Sequence, residues 1–167
     1  KYAIIDANAS GIMCSYNEEN GIPSCANEQL LTGYLRQELG FNGYITSDCG
    51  AVSNVQNTHH YTNTTGATIN AVYSAGMDLD CGGYTQNNLA NAVSNGSAKL
   101  SDIQRGIYDA ALVQMRLGLF DTTRDNNPYD KYGPSDVCSK EHTQLSLEAT
   151  KQSIVLLKNT NNVLPLD

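Results

Sequence analysis

The sequence predicts an α/β fold built on a parallel sheet. Two observations carry that prediction. Short apolar, β-branched or aromatic runs recur at residues 11–16, 44–47 and 77–79, as buried strands do. Segments with helical spacing lie between and after them, at 27–39, 65–75, 86–94 and 102–117. The order strand, helix, strand, helix, strand, helices is that of a parallel α/β unit.

The elements follow in chain order. Gly11-Ile12-Met13-Cys14-Ser15-Tyr16 reads as the first strand, and Asn20-Gly21 with Pro23 marks the loop after it. Asn27 is a helix cap; Leu30, Leu31, Tyr34, Leu35 and Leu39 fall near one face, and Gly40 sits where a helix ends. Tyr44-Ile45-Thr46-Ser47 is the second strand and stops abruptly at Asp48-Cys49-Gly50. Residues 51–63 read as a looser stretch. The helix at 65–75 ends at Gly76, and Met77-Asp78-Leu79 is the third strand. A polar turn precedes the helix at 86–94, which Asn95-Gly96 stops. Ser101 and Gln104 have capping-box spacing ahead of the longest helix, with Ile103, Ile107, Ala111 and Leu117 expected inward. From Asp121 the periodicity disappears, and Asp125, Asn126, Asn127, Pro128, Gly133 and Pro134 mark a linker over 121–139. A helix at 140–152, a strand at 154–157, a turn at 159–162 and an extended end follow. This last stretch has too little chain to bury its own apolar face and reads as the opening of a further domain.

Composition narrows the function classes. The chain has 167 residues, too few for a complete eight-stranded α/β barrel of ~250. It opens at Lys1 rather than Met, so a segment upstream is expected, any secretion signal included. Ten Lys and Arg against seventeen Asp and Glu give a net charge of −7, which argues against a nucleic-acid partner. No apolar run approaches the ~20 residues that span a bilayer, so no membrane partner is expected. Polarity comes instead from 18 Asn, 13 Ser and 13 Thr, a composition that suits a secreted protein. Sequons at Asn8, Asn63 and Asn95 are about as many as chance supplies. The five Cys, at 14, 25, 49, 81 and 138, include no CxxC pair and do not resemble a zinc or thioredoxin site. They are either disulfides with at least one Cys left over or buried thiols.

In a parallel sheet the chemistry gathers at the carboxyl ends of strands, where Ser15-Tyr16-Asn17, Ser47-Asp48 and Asp78-Leu79-Asp80 all fall. Asp48, just past a buried strand, can act as nucleophile, general base or metal ligand, or can simply cap the turn. Asp78 and Asp80 share a face if the strand runs through both; otherwise Asp80 caps the turn. Tyr16 can stack on or hydrogen-bond to a sugar, or be a rim tyrosine that packs its ring. His59-His60 has no suitably spaced third ligand, so no metal site is expected. No cofactor is expected either: GxGxxG, P-loop and GxSxG patterns are absent from the sequence.

Several segments together resemble glycoside hydrolase family 3. They are Gly11-Ile12-Met13-Cys14-Ser15-Tyr16-Asn17, Asn20-Gly21-Ile22-Pro23-Ser24-Cys25-Ala26-Asn27 and Gly40-Phe41-Asn42-Gly43-Tyr44-Ile45-Thr46-Ser47-Asp48-Cys49. Ala75-Gly76-Met77-Asp78-Leu79-Asp80-Cys81 and Ser153-Ile154-Val155-Leu156-Leu157-Lys158-Asn159, then Leu164-Pro165-Leu166, extend the match in family order. The resemblance implies the C-terminal portion of a (β/α)8 TIM-like barrel at 1–120, a linker at 121–139, and the start of an α/β sandwich at 140–167. It implies that Asp48 is the catalytic nucleophile, with Tyr16 beside it in the sugar site and Met13 near the same pocket. The Ser-Asp-Cys and Asp-Leu-Asp-Cys forms are similar to the β-xylosidase branch. The β-glucosidase branch typically has Trp after the nucleophile, where this chain has Cys49 and no Trp anywhere.

The implied activity is a retaining exo-β-1,4-xylosidase on xylan-derived oligosaccharides, with α-L-arabinofuranosidase activity as an accompaniment. The alternatives are a β-glucosidase and a non-catalytic carbohydrate-binding or scaffold protein on the same fold. The acid/base carboxyl is not expected in this chain. The remainder of the polypeptide is then needed for a complete site, and the isolated fragment is expected to be inactive. The resemblance also implies disulfides Cys14–Cys25 and Cys49–Cys81, leaving Cys138, in a secreted protein.

Overall fold

The computed structural model describes residues 1–121 and 127–166, which form two units, Lys1–Asp121 and Thr122–Asp167. Residues 122–126 of the predicted linker lie outside the described residues.

In the first unit, α1 (Tyr2–Ile5) leads into β1 (Gly11–Cys14), which pairs in parallel with β4 (Tyr44–Ser47). The register sets Gly11 against Tyr44, Ile12 against Ile45, Met13 against Thr46 and Cys14 against Ser47. The third predicted strand joins the sheet through a parallel bridge from Leu79 to Thr46. Successive side chains leave a strand on opposite faces. Cys14, Ile45 and Ser47 therefore enter the core, while Met13, Tyr44 and Thr46 take the other face. A Cβ on Gly11 would lie 2.7 Å from the Tyr44 ring, so any larger residue there has to displace that ring.

The loop at 17–27 contains a tight hairpin, β2 (Glu18–Glu19) with β3 (Ile22–Pro23). Asn20 and Gly21 turn it with φ of 54° and 79°, the paired positive values of a type I′ turn. The Asn27 side chain accepts from the Leu30 N–H at 3.1 Å, as a cap does. The helix it opens is a π-helix, Gln29–Glu38, in which the Leu39 N–H still reaches five residues back to Tyr34. Its wider winding turns Tyr34 toward solvent and leaves Leu31 as its buried anchor.

The stretch expected to be loose contains α2 (Ala51–Asn57), which buries Ala51, Val52 and Val55. Next come α3 (Thr65–Ala75), capped by Thr64 accepting from the Ala67 N–H at 3.1 Å, and α4 (Tyr84–Ser94). The long helix α5 (Leu100–Arg116) begins earlier than expected, so Ser101 lies inside it and the Ser101–Gln104 capping box does not form. Its inward face is also shifted. Ile103, Gly106, Ala110 and Val113 are buried, while Ile107 and Leu117 are exposed. The cause is proximity: a Cβ on Gly106 would stand 3.1 Å from the Asp78 backbone, so only small residues fit under α5 there. The core of this unit is Leu31, Ile45, Val52, Val55, Ile69, Val72 and Met77, packed between the sheet and these helices.

In the second unit, α6 (Lys140–Ser153) starts at Ser139, whose hydroxyl accepts from the His142 N–H at 3.2 Å. The strand expected at 154–157 does not form. Ile154 is extended, but a strand needs a partner for its backbone groups and none pairs with it among the described residues.

Candidate active site

The end of β4 carries the site. The Asp48 N–H donates to the Cys14 carbonyl at 2.8 Å, so the last bond of the β1–β4 ladder fixes the backbone of this residue. Gly50 turns the chain at φ 86°, where a side chain would be strained, and α2 starts at once. The Asp48 carboxylate is thus presented half-buried at the sheet edge.

Two donors converge on one of its oxygens. Oδ1 accepts from the Cys49 N–H at 2.6 Å and from the Tyr16 hydroxyl at 3.0 Å. The same hydroxyl also donates to the Cys49 carbonyl at 2.8 Å, so its one proton is shared between the two acceptors. Among the described residues no donor reaches Oδ2. Oδ1 is thus the oxygen that this turn and the Tyr16 loop anchor. The hydrogen bond to Asp48, with burial and the carboxylate charge, raises the Tyr16 hydroxyl above its ordinary 10.0 and keeps it a donor.

The loop carrying Tyr16 is tied at several points. Cys14 and Cys25 form a disulfide with a Cα–Cα distance of 5.1 Å. Ser15 Oγ donates to Asn17 Oδ1, and Asn17 Nδ2 donates to Glu19 Oε1 at 3.0 Å. His59 Nε2 lies 2.8 Å from the Tyr16 carbonyl and its Nδ1 3.2 Å from Glu18 Oε1. Glu18 escaped the sequence reading, and His59 was weighed there only as a metal ligand, because loop residues 41 apart show no periodicity that would link them.

The turn on the other side is strapped as firmly. Cys49 and Cys81 form a disulfide, Cα–Cα 4.3 Å, and the Gly50 N–H donates to the Cys81 carbonyl at 2.7 Å. Ser47 Oγ donates to Asp80 Oδ1 at 3.1 Å and accepts from the Cys81 N–H at 2.9 Å. Asp80 Oδ2 accepts from the Thr85 N–H at 2.8 Å, so Asp80 caps the turn and the start of α4. Asp78 does not share a face with Asp80 at this turn. It is buried between Arg36 and Arg105, both at 2.6 Å, and accepts from the Ile45 N–H at 2.7 Å. Burial pushes its carboxyl above the ordinary 3.8, against the Ile45 bond and the two guanidiniums, which lower it. Arg36 and Arg105 are further residues that the sequence reading missed.

Met13 stays outside this hydrogen-bonded cluster, exposed on the sheet face it shares with Thr46. Cys138 is a free thiol in the second unit. Among the described residues no group of three His, Cys, Asp or Glu could hold a metal ion.

The profile of the Glycosyl hydrolase family 3 N terminal domain matches residues 1–108. The chain belongs to glycosyl hydrolase family 3. It is 42% identical over 165 residues to probable beta-D-xylosidase 7 of Arabidopsis thaliana, covering 99% of this chain and 22% of that one. It is 41% identical to beta-xylosidase/alpha-L-arabinofuranosidase 1 of Medicago sativa subsp. varia, over 99% of this chain and 21% of that one. Among solved structures it is similar to the beta-glucosidase of Listeria innocua in complex with glucose, with TM-score 0.74 and 28% identity over 98% of this chain and 22% of that one. The chain spans about a fifth of the length of the curated relatives it matches. The α/β class expected from the strand and helix order is that of this family 3 domain.

Proposed function

We propose that these residues form the nucleophile side of a retaining β-xylosidase active site, in the C-terminal portion of a (β/α)8 barrel over residues 1–120. The linker at 121–139 and the start of an α/β sandwich at 140–167 complete this reading. The observation that carries it is the Asp48 carboxylate at the strand end, with Oδ1 anchored by the Cys49 N–H and the Tyr16 hydroxyl. A carboxylate held that way attacks the anomeric carbon through Oδ2. The C1–O bond to the leaving group breaks and a glycosyl ester forms, with the carbonyl of that ester left at Oδ1 in the grip of Tyr16 and the Cys49 N–H. A second carboxyl, ~5–5.5 Å away, donates a proton to the leaving oxygen and then takes one from the water that opens the ester. That second carboxyl is assigned to no residue of this chain.

Xylosidase is favoured over glucosidase by Cys49 after the nucleophile and by relatives that carry xylosidase names across nearly the whole chain. The substrate is then a xylan-derived oligosaccharide, and α-L-arabinofuranosides are a second class. The two disulfides suit an extracellular protein. The glucosidase reading keeps one supporting observation, the similarity in fold to a solved beta-glucosidase. The test is trapping of the full-length enzyme with a 2-fluoro-xylosyl donor, followed by peptide mapping. The expected label is on Asp48, and Asp48→Asn loses at least about a thousandfold in turnover. A label elsewhere, or turnover faster on the glucoside than on the xyloside, overturns the respective half of the proposal.

A further inference from the structure

The loop that holds Tyr16 is not free to choose its position. Its carbonyl is 2.8 Å from His59 Nε2, and Glu18 Oε1 is 3.2 Å from the Nδ1 of the same ring. The His59 side chain is largely enclosed, at 16% exposed, where a chance surface contact would be open. Its backbone is fixed as well, with the His59 N–H donating to the Asn54 carbonyl of α2 at 2.8 Å. Helix α2 begins at Ala51, three residues past Asp48. A closed ring results: Asp48, the Tyr16 hydroxyl, the Tyr16 carbonyl, His59, α2 and back to Asp48. Both ring nitrogens of His59 face acceptors, a carbonyl and a carboxylate. A ring with one N–H bonds one of them and leaves a lone pair against the other. The ring with two N–H groups bonds both.

We propose that His59, braced by Glu18, is a positioning residue for the nucleophile: it donates to the Tyr16 carbonyl and so holds the Tyr16 hydroxyl on Asp48 Oδ1. This rests on the reading of Asp48 as nucleophile. His59 touches neither the carboxylate nor a substrate; it acts through Tyr16.

The experiment is a double-mutant cycle in the full-length enzyme, read as kcat and KM for 4-nitrophenyl β-D-xyloside. Tyr16→Phe and His59→Phe are each expected to lower kcat by roughly tenfold, the size of one hydrogen bond to a charged group. Combined, they are expected to lose no more than Tyr16→Phe alone, within about twofold, because His59 has nothing left to position. His59→Gln keeps one donor and is expected to recover much of the loss. Should His59→Phe fail to fold, Glu18→Gln, which removes the brace on the ring, carries the same cycle with Tyr16→Phe. A purely structural His59 predicts that the losses multiply, and that result overturns the assignment, as does a His59→Phe enzyme with unchanged kcat. Trapping with the 2-fluoro-xylosyl donor separates the two levels. Labelled Asp48 with an additive cycle removes only His59, whereas unlabelled Asp48 removes both assignments.

Discussion

Replacing Arg105 with Met tests the buried charge cluster that holds the third strand end. Asp78 has a side chain with no exposure and two guanidinium partners, Arg36 and Arg105, each at 2.6 Å. Removing one partner of a buried pair costs about 3–5 kcal/mol. Arg36 remains, so roughly 2 kcal/mol is expected from Asp78 itself, below that range. Arg105 also donates to the Tyr73 and Met77 carbonyls at 2.8 and 3.1 Å. Each lost bond adds roughly 0.5–1.5 kcal/mol. The sum is about 3–5 kcal/mol, with the methionine stem keeping the packing.

The loss has a definite pH dependence. Burial raises Asp78 in the folded state above the ordinary 3.8 of the unfolded chain. The folded state therefore binds that proton more tightly, and stability falls as pH rises from near 3.8 through the raised folded value. Removing Arg105 takes away one of the groups that lowers it, so the shift grows. The variant's deficit is then largest at neutral pH and shrinks in acid. The assay is urea unfolding followed by far-ultraviolet circular dichroism, at about pH 4.5 and about pH 7. Equal losses at the two pH values, or a loss within ~0.5 kcal/mol of zero, would refute the reasoning.

Two more outcomes follow from the same contacts. Replacing Cys14 and Cys25 by Ala opens a loop with a sequence separation of 11, and should lower stability by about 2–3 kcal/mol. An unchanged melting temperature would contradict that. The Tyr16 hydroxyl is held above its ordinary 10.0, so its ionisation removes the Asp48 donor only beyond that value. The alkaline limb of the wild-type rate profile, wherever it falls below about pH 10, should therefore persist in Tyr16→Phe. Its disappearance would assign that limb to Tyr16.

How much of this was legible in the sequence depended on whether local or distant forces decided the feature. Tyr44–Ser47 and Thr65–Ala75 could be read directly, because alternation, a Thr cap and a terminal Gly all agree there. Asp48 stood out because it follows a buried strand at once. Helix α2 was missed because Ser53, Asn54 and Asn57 are poor helix formers, and the helix owes its place to Val52 and Val55 in the core. The inward face of α5 was misassigned for a similar reason. Its apolar residues outnumber its buried ones, and only contact with the Asp78 backbone selects Gly106 and Ala110 over Ile107. The strand expected at 154–157 had the right residues, but residue type cannot supply a pairing partner.

A nucleophile on a turn needs supports that fix it to a fraction of an ångström, which loops seldom provide. Here they come from two sides. The turn at 48–50 is bound to the turn after Leu79 by the Cys49–Cys81 disulfide, the Gly50 N–H and the Ser47 hydroxyl. The Tyr16 loop is bound by the Cys14–Cys25 disulfide behind it and by His59 beside it. Each support reaches Asp48 through at most two links. The carboxylate oxygen that must stay still is the one that receives both donors. Among the described residues the other oxygen, the one the proposed attack uses, receives none. Asp80 differs: both of its oxygens accept, from the Ser47 hydroxyl and the Thr85 N–H, and it caps a turn.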